Sequence, residues 1–293
     1  MRTIILLLAL FTGIIISAQF GNQYDLDIRG RIVGDSGSDA SFQTIGISKN
    51  LFKVPLKKGK QGIIKVGIDY DYAHINFNIN HEILKKIENF HNIGLTLGYL
   101  RKISQKWSLI GGIIPQLNSN FTDGIKGDDF YLNAFALLNY SWSENSRLSF
   151  GLAYSNTLGY PTPIPVINYW KRFNEKWEMG LGFPRTSVTR SLNLKSKLIG
   201  YAELQGYNGN ISRNVQPSLT TFPLIQEAER ISYRDIIMGV EYRYQVKKFQ
   251  LRVNGGYTID RNFELQNSDN GTAYEFNMEN NFNFGIGLGF NFK

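Results

Sequence analysis

Several stretches of this chain alternate a bulky apolar residue with a small or polar one: WSLIGGII (107–114), LSFGLAY (148–154), WEMGLGF (177–183), DIIMGVEYRYQ (235–245) and FQLRVNGGYTI (249–259). One parity carries Leu148, Phe150, Leu152 and Tyr154, or Ile236, Met238, Val240, Tyr242 and Tyr244; the other carries Ser149 and Gly151, or Asp235, Gly239, Glu241 and Arg243. The last such stretch, NFNFGIGLGFNFK (281–293), sets Phe282, Phe284, Ile286, Leu288, Phe290 and Phe292 against asparagine and glycine. A period of two is that of a β-strand, whose successive side chains point to opposite faces. The chain therefore folds into sheet with one consistently apolar face, and that face must meet either a second sheet or lipid.

Two features favour lipid, and a third fits a barrel or a sandwich alike. Short polar connections at 104–106, 143–146, 173–176, 193–196 and 245–248 alternate with longer ones at 78–88, 118–128, 157–163, 207–229 and 261–272. Short turns on one side and long loops on the other belong to a transmembrane barrel, whereas Greek-key sandwiches have no reason to alternate them. Next, Trp107 and Trp177 follow short turns while Trp142 and Trp170 precede them. A zigzag chain puts all four at one height, as in an interfacial belt where an indole is half apolar and its N–H is wetted. Finally, the polar parity holds many charges: Asp25, Asp27, Arg29 and Arg31 in YDLDIRGRI, then Lys65, Asp69 and Asp71 in KVGIDYDY. These, with Glu178, Glu241, Arg243 and Arg252, are expected to line an aqueous lumen, where mixed charges pair to shape the wall or tune which solutes pass.

Strands are expected at 23–33, 41–52, 61–77, 89–102, 106–117, 128–142, 147–157, 163–173, 176–184, 187–193, 197–207, 229–245, 248–262 and 276–292. The fold class is all-β: a closed antiparallel transmembrane β-barrel of fourteen strands, or twelve if the short stretch PRTSVTRSLNLKS (184–196) merges, with short periplasmic turns and longer extracellular loops. Closure is obligatory, because no strand edge can face lipid. Ahead of the barrel, Arg2, an apolar run from Ile4 to Ile16, then Ser17 and Ala18 read as a secretory signal peptide, cleaved after Ala18. The run is shorter than the ~20 residues of a spanning helix. Residues 1–18 are thus leader and 19–293 one barrel domain.

Composition narrows the chemistry. Charged residues make up 19%, under the roughly 25% usual in soluble domains. There is no cysteine, so disulfides and cysteine-ligated zinc are excluded. The net charge of +8 is dispersed, without the concentrated stripe of a nucleic-acid binder. His74, His81 and His91 are the only histidines, and no metal-ligand spacing, nucleophile motif or phosphate-binding loop accompanies them. No catalytic residue, metal or cofactor is expected. Within 207–229, FPLIQEAER carries Phe222, Leu224 and Ile225, which could fold inward and narrow the pore.

The Ala18/Gln19 junction, the hairpins YSWSENSRLSFGLAYS and NYWKRFNEKWEMGLGFP, and the phenylalanine-rich last strand resemble porin-like outer-membrane β-barrels of Gram-negative bacteria. In particular they are similar to a family labelled a domain of unknown function. The resemblance spans nearly the whole mature chain and implies architecture, not activity. It implies outer-membrane lipid as surroundings and the barrel-assembly machinery as a transient partner, reading a terminal strand that runs through Leu288 to Phe292. Lys293 departs from such barrels, which commonly end on the aromatic itself. The function expected is a passive, porin-like conduit for small or hydrophobic solutes. The alternative is a structural barrel with a filled lumen whose surface loops bind a partner.

Overall fold

The computed structural model describes residues 24–56, 62–216, 224 and 226–292. The proposed leader, Phe222 and Ile225 lie outside these residues. The strands are β1 (Leu26–Val33), β2 (Ala40–Pro55), β3 (Gly62–Phe77), β4 (Asn89–Lys102), β5 (Trp107–Ser119), β6 (Phe130–Ser143), β7 (Ser146–Ser155), β8 (Thr162–Arg172), β9 (Trp177–Phe183), β10 (Arg185–Ser191), β11 (Ser196–Val215), β12 (Ala228–Val246), β13 (Phe249–Gln266), β14 (Thr272–Glu275) and β15 (Phe282–Phe290). Strands β1 to β13 pair antiparallel in chain order, and β15 fits between β13 and β1. The short β14 pairs with β13 inside the last long loop. The wall is therefore a closed antiparallel barrel of fourteen strands. Its seam runs from Leu26 opposite Phe290 to Val33 opposite Asn283. The stretch 184–196 does not merge: β9 and β10 remain separate, joined through Pro184 alone.

The short turns repeat one piece of side-chain chemistry. In SQKW (104–107), Ser104 Oγ accepts from the amides of Lys106 at 3.3 Å and Trp107 at 3.1 Å. In NEKW (174–177), Asn174 Oδ1 accepts from Lys176 and Trp177, each at 2.9 Å. Asn193 does the same for Lys195 and Ser196 in NLKS (193–196). A short polar side chain that bonds the backbone two and three residues on stabilises a tight turn where the ladder gives out.

On the outer face the bulky parity is exposed: Ile45 by 61%, Leu152 by 62%, and Phe282 and Phe284 by 62% each. Apolar surface on this scale has to be covered, and around a closed sheet lipid covers it. The inner face follows a different rule, in which glycine makes room for a neighbour's charged group. Arg29 stands opposite Gly46 of β2 and Gly287 of β15. Gly46 in turn faces Asp71 of β3, and Gly287 faces Arg252 of β13. Arg29 reaches over Gly46 to pair with Asp71, two strands away. A Cβ on Gly46 would overlap Asp71 and lie 2.7 Å from Arg29 Nε. A Cβ on Gly287 would lie 2.6 Å from Arg252 Nη2, and one on Gly289 2.5 Å from the Tyr24 ring. The glycines of the last strand thus leave no open space; their neighbours fill it.

Gly46→Val should therefore destabilise the barrel by about 1–3 kcal/mol through overpacking. Gly200→Val, where a Cβ would meet nothing within 4 Å, should leave it unchanged. The temperature at which folded protein loses its heat-modifiable gel mobility reads both.

Candidate functional site: the lumen and the hairpin that crosses it

Asp25, Asp27, Arg29, Arg31, Lys65, Asp69, Asp71, Glu178, Glu241, Arg243 and Arg252 all sit on the inner parity of their strands. They form several groups. Asp27, 3% exposed, pairs with Arg252 and lies 3.8 Å from Arg29. Arg29 also donates to Ser48 Oγ at 2.7 Å. Arg252 covers the Tyr24 ring, and the Tyr24 hydroxyl donates to Gln250. Arg243 pairs with Glu241 beside it. Asp69 accepts from Thr96 Oγ1 at 2.7 Å. Asp25 stands 3.7 Å from Lys53 and accepts from the amide of Phe292 at 2.8 Å, which ties the end of the last strand to the start of the first. Lys65 stands opposite Lys53 and Gly98, within electrostatic reach of Asp69 and Asp25.

Arg31 has a partner that no local pattern indicates. It crosses to the fully buried Asp235 of β12 and donates to Gln205 of β11 at 2.7 Å. The Tyr233 hydroxyl donates to the same carboxylate at 2.7 Å. A second buried pair, Arg185 Nη1 to Glu203 Oε2 at 2.6 Å, lies on the other side of β11. Asp235, Glu203 and Arg185 have the inner parity of their strands, so alternation assigns the face but not the partner.

The lumen closes at the long-loop end. β11 and β12 are 20 and 19 residues long, but β9 and β10 are seven each. Beyond Pro184 the upper part of β11 has no wall neighbour on its β10 side. It bends inward instead. At Gly206 a Cβ would overlap the carbonyl oxygens of Asn156 and Thr157, so only glycine fits where the strand crosses the β7–β8 loop. Past that point Asn210 pairs in parallel with Ser119 at the end of β5. Asn118 Nδ2 donates to the Asn208 carbonyl at 2.6 Å, Ser119 Oγ to that of Asn210 at 3.0 Å, and the Ser212 amide to Asn120 Oδ1 at 2.9 Å. Asn210 Nδ2 donates to Asp129 at 2.7 Å. Asn208, Asn210 and Ser212 are each at most 5% exposed.

The opposite face of this arm packs in an apolar cluster. Ile211, Val215 and Leu224 join Val33, Phe42, Ile75, Phe90, Ile231, Tyr233 and Phe263, drawn from both sides of the barrel. Phe42 lies 4.0 Å from Tyr233 and 4.9 Å from Phe263, ring centre to ring centre. Phe90 of β4 meets Tyr207 of β11 at 6.3 Å, across the full width of the fourteen-strand ring. The Tyr207 hydroxyl donates to Asn118 at 2.5 Å. The stretch 207–215, expected to open a long external loop, is thus strand laid across the mouth, and Leu224 is fully buried against it.

Three of the four tryptophans face outward near the short turns: Trp107, Trp142 and Trp177, exposed by 37%, 51% and 41%. Trp170 does not belong with them. It stands opposite Arg147 on the inner face, and the guanidinium carbons of Arg147 and Arg172 lie 5.5 and 5.3 Å from its ring. Parity is decisive here, since a shift of one residue exchanges the faces. Tyr169 is the outward residue and sits 6.0 Å from Trp142. His74 and His91 are on the outer face near the long loops, where Asn89 meets His74 at 2.9 Å and the Tyr70 hydroxyl meets His91 at 2.9 Å.

Residues 16–291 match the family described as Domain of unknown function (DUF6268). The chain belongs to this family. No curated protein matches it in sequence. Among solved structures it is similar to the KdgM porin in complex with disordered oligogalacturonate, at 9% identity and a TM-score of 0.38, covering 91% of this chain and 99% of that one. It is also similar to a Pseudomonas aeruginosa FadL homologue, at 9% identity and a TM-score of 0.44, covering 92% and 89%. The translocator domain of the autotransporter NalP from Neisseria meningitidis matches at 13% identity and a TM-score of 0.35, covering 91% and 86%.

Two outcomes follow from these placements. Removing the buried carboxylate in Asp235→Ala strands Arg31 and should cost about 3–5 kcal/mol, the penalty for breaking a buried pair, read as a lower heat-modifiability temperature. In vesicles of brominated lipid, single-tryptophan variants retaining Trp107, Trp142 or Trp177 should be quenched, and the one retaining Trp170 should not; equal quenching of all four would contradict the inward placement.

Proposed function

We propose that the protein is an outer-membrane barrel that conducts small solutes passively through its lumen, with the inward arm of the β11–β12 hairpin as the closure of its outer mouth. The observation that carries this reading is the arm itself. Its β11 strand stays paired to β12 but leaves the wall on its β10 side, and that edge is held to β5 by asparagine and serine hydrogen bonds. Such bonds contribute modestly because water replaces them readily. Below the arm the inner half of the barrel is lined by charged groups, a wet surface rather than a dry core. The exposed apolar outer wall and its tryptophans support placement in the outer membrane, reached through the leader ending at Ala18.

A specific observation favours a second reading. The apolar cluster at the mouth is packed like the core of a soluble domain, as a filled barrel that only displays its loops would be.

Planar-bilayer recording separates the two. Native protein should show small, infrequent openings. Replacing residues 209–231 by an Asn-Gly turn, so that Asn208 and Ser232 close a shortened hairpin, should give steady conductance severalfold larger. Ser119→Asp, which sets a second negative charge beside the Asn210 carbonyl and Asp129, should raise the opening frequency without a deletion. If folded, membrane-inserted forms of both variants stay silent, the channel reading fails and the filled-barrel reading stands.

A further inference from the structure

We infer that the inner half of the lumen holds a binding site for a small oxyanion, a carboxylate or phosphate group, built around Arg185. The site is a hollow over β9. Gly180 lies at its floor, opposite Trp170 of β8 on one side and Ser187 of β10 on the other. The missing side chain leaves a cavity of about 20 Å³ lined by Asn168, Trp170, Glu178, Gly180, Arg185 and Ser187. That is room for one water-sized group, such as the oxygen of an entering anion.

Arg185 gives the hollow its chemistry. Its side chain is only 10% exposed and one of its nitrogens is used on Glu203. Nε and Nη2 are buried and have no hydrogen-bond partner among the described residues. Its guanidinium carbon lies over the Tyr201 ring, 4.4 Å from the centroid, a contact that limits its movement. Leaving two donors of a charged group buried and unmet is costly, and a guanidinium N–H bonds an anionic oxygen through a charge-assisted contact.

The surrounding charges permit an anion. Glu178 lines the hollow, but Arg172 at 3.8 Å and Lys197 at 3.6 Å pair with it. Glu203 is engaged by Arg185 itself. Arg147 and Arg172 bracket Trp170 on the opposite wall. Cations therefore outnumber carboxylates around the hollow. Asn168 and Ser187 add neutral hydrogen-bonding groups, and the Trp170 ring supplies an apolar side for the rest of the solute.

Such a site gives the channel proposed above a solute class, anionic. Binding is read without conductance, so the two proposals fail separately. The probe is the full chain in detergent with Trp107, Trp142 and Trp177 changed to Phe, so that only Trp170 fluoresces. Acetate, inorganic phosphate and neutral glucose are titrated in turn at constant ionic strength. A saturable change with acetate or phosphate, and none with glucose, is expected; which anion acts at lower concentration identifies the preferred group. Arg185→Gln should weaken binding by about tenfold or more, as loss of a charge-assisted contact does. Because that variant also strands Glu203, Gly180→Val provides the second arm: its Cβ meets only ordinary contacts, at 3.6 Å or more, yet it fills the hollow and should abolish the response. No saturable response to either anion, equal response to glucose, or native-like binding by folded Gly180→Val would overturn the site.

Discussion

A backbone amide in lipid has no water to turn to, so every strand edge must find a partner, and this requirement shapes the barrel more than any single side chain does. Closure of β15 against β1 meets it around the seam. The difficulty lies at β9 and β10, whose hairpin ends at Pro184 while its neighbours run on. Above it β8 has no neighbour on its β9 side from Thr162 to Val166, and β11 none on its β10 side from Gln205 onward. The two edges are handled differently. β8 carries Pro163 and Pro165 there, which removes two donors and blunts the edge. β11 bends in at Gly206 and takes Ser119 of β5 as its neighbour. Closure of the mouth is thus a consequence of a low wall: the strand that has lost its partner outside finds one inside.

The inner half is organised by an analogous exchange between side chains. Neighbouring inward positions in one row are too close for two long charged groups, and where β2 or β15 presents glycine, the groups on either side reach across it. Asp71 and Arg29 meet over Gly46, while Arg252 lies over Gly287 and Tyr24 over Gly289. Each bridging group then touches partners on more than one strand, as Arg29 does with Ser48, Asp71 and Asp27. Desolvating such charges offsets much of their attraction. Their clearer contribution is to fix strand register, because a slip of one residue would turn every charge toward lipid.

These two levels differ in how far the sequence reveals them. Alternation exposes the strands, the faces and the closing role of NFNFGIGLGFNFK, since period two is local and each residue reports on its own neighbour. Trp170 shows where local reading stops. Tyr169 and Trp170 are adjacent aromatics, either suited to an interface, and only pairing with Arg147 on β7 decides which one points in. The arm lies further out of reach. YNGNISRNV (207–215) reads as a polar loop because its partners, Asn118, Ser119 and Asn120, are some ninety positions away and equally polar. Two asparagine-rich stretches that each look like solvent-facing loop become buried by satisfying one another, and hydropathy carries no trace of that. The glycines of the last strand show a related limit, since a missing side chain marks space without telling who occupies it.

The arm's two faces differ in what release costs, and that difference sets the resting state. On the β5 side, asparagine and serine exchange one set of hydrogen bonds for another with water, at a net cost near 1 kcal/mol each. On the other side Ile211, Val215 and Leu224 leave a packed cluster, and re-exposing such side chains costs about 1.5–3 kcal/mol apiece. On these costs thermal motion alone leaves the arm seated, and its polar seam to β5 releases before its apolar face does. A solute can shift this balance only by binding the open arrangement better than the closed one. In the channel reading proposed above, the ion pairs below line the route and the arm decides whether it is open.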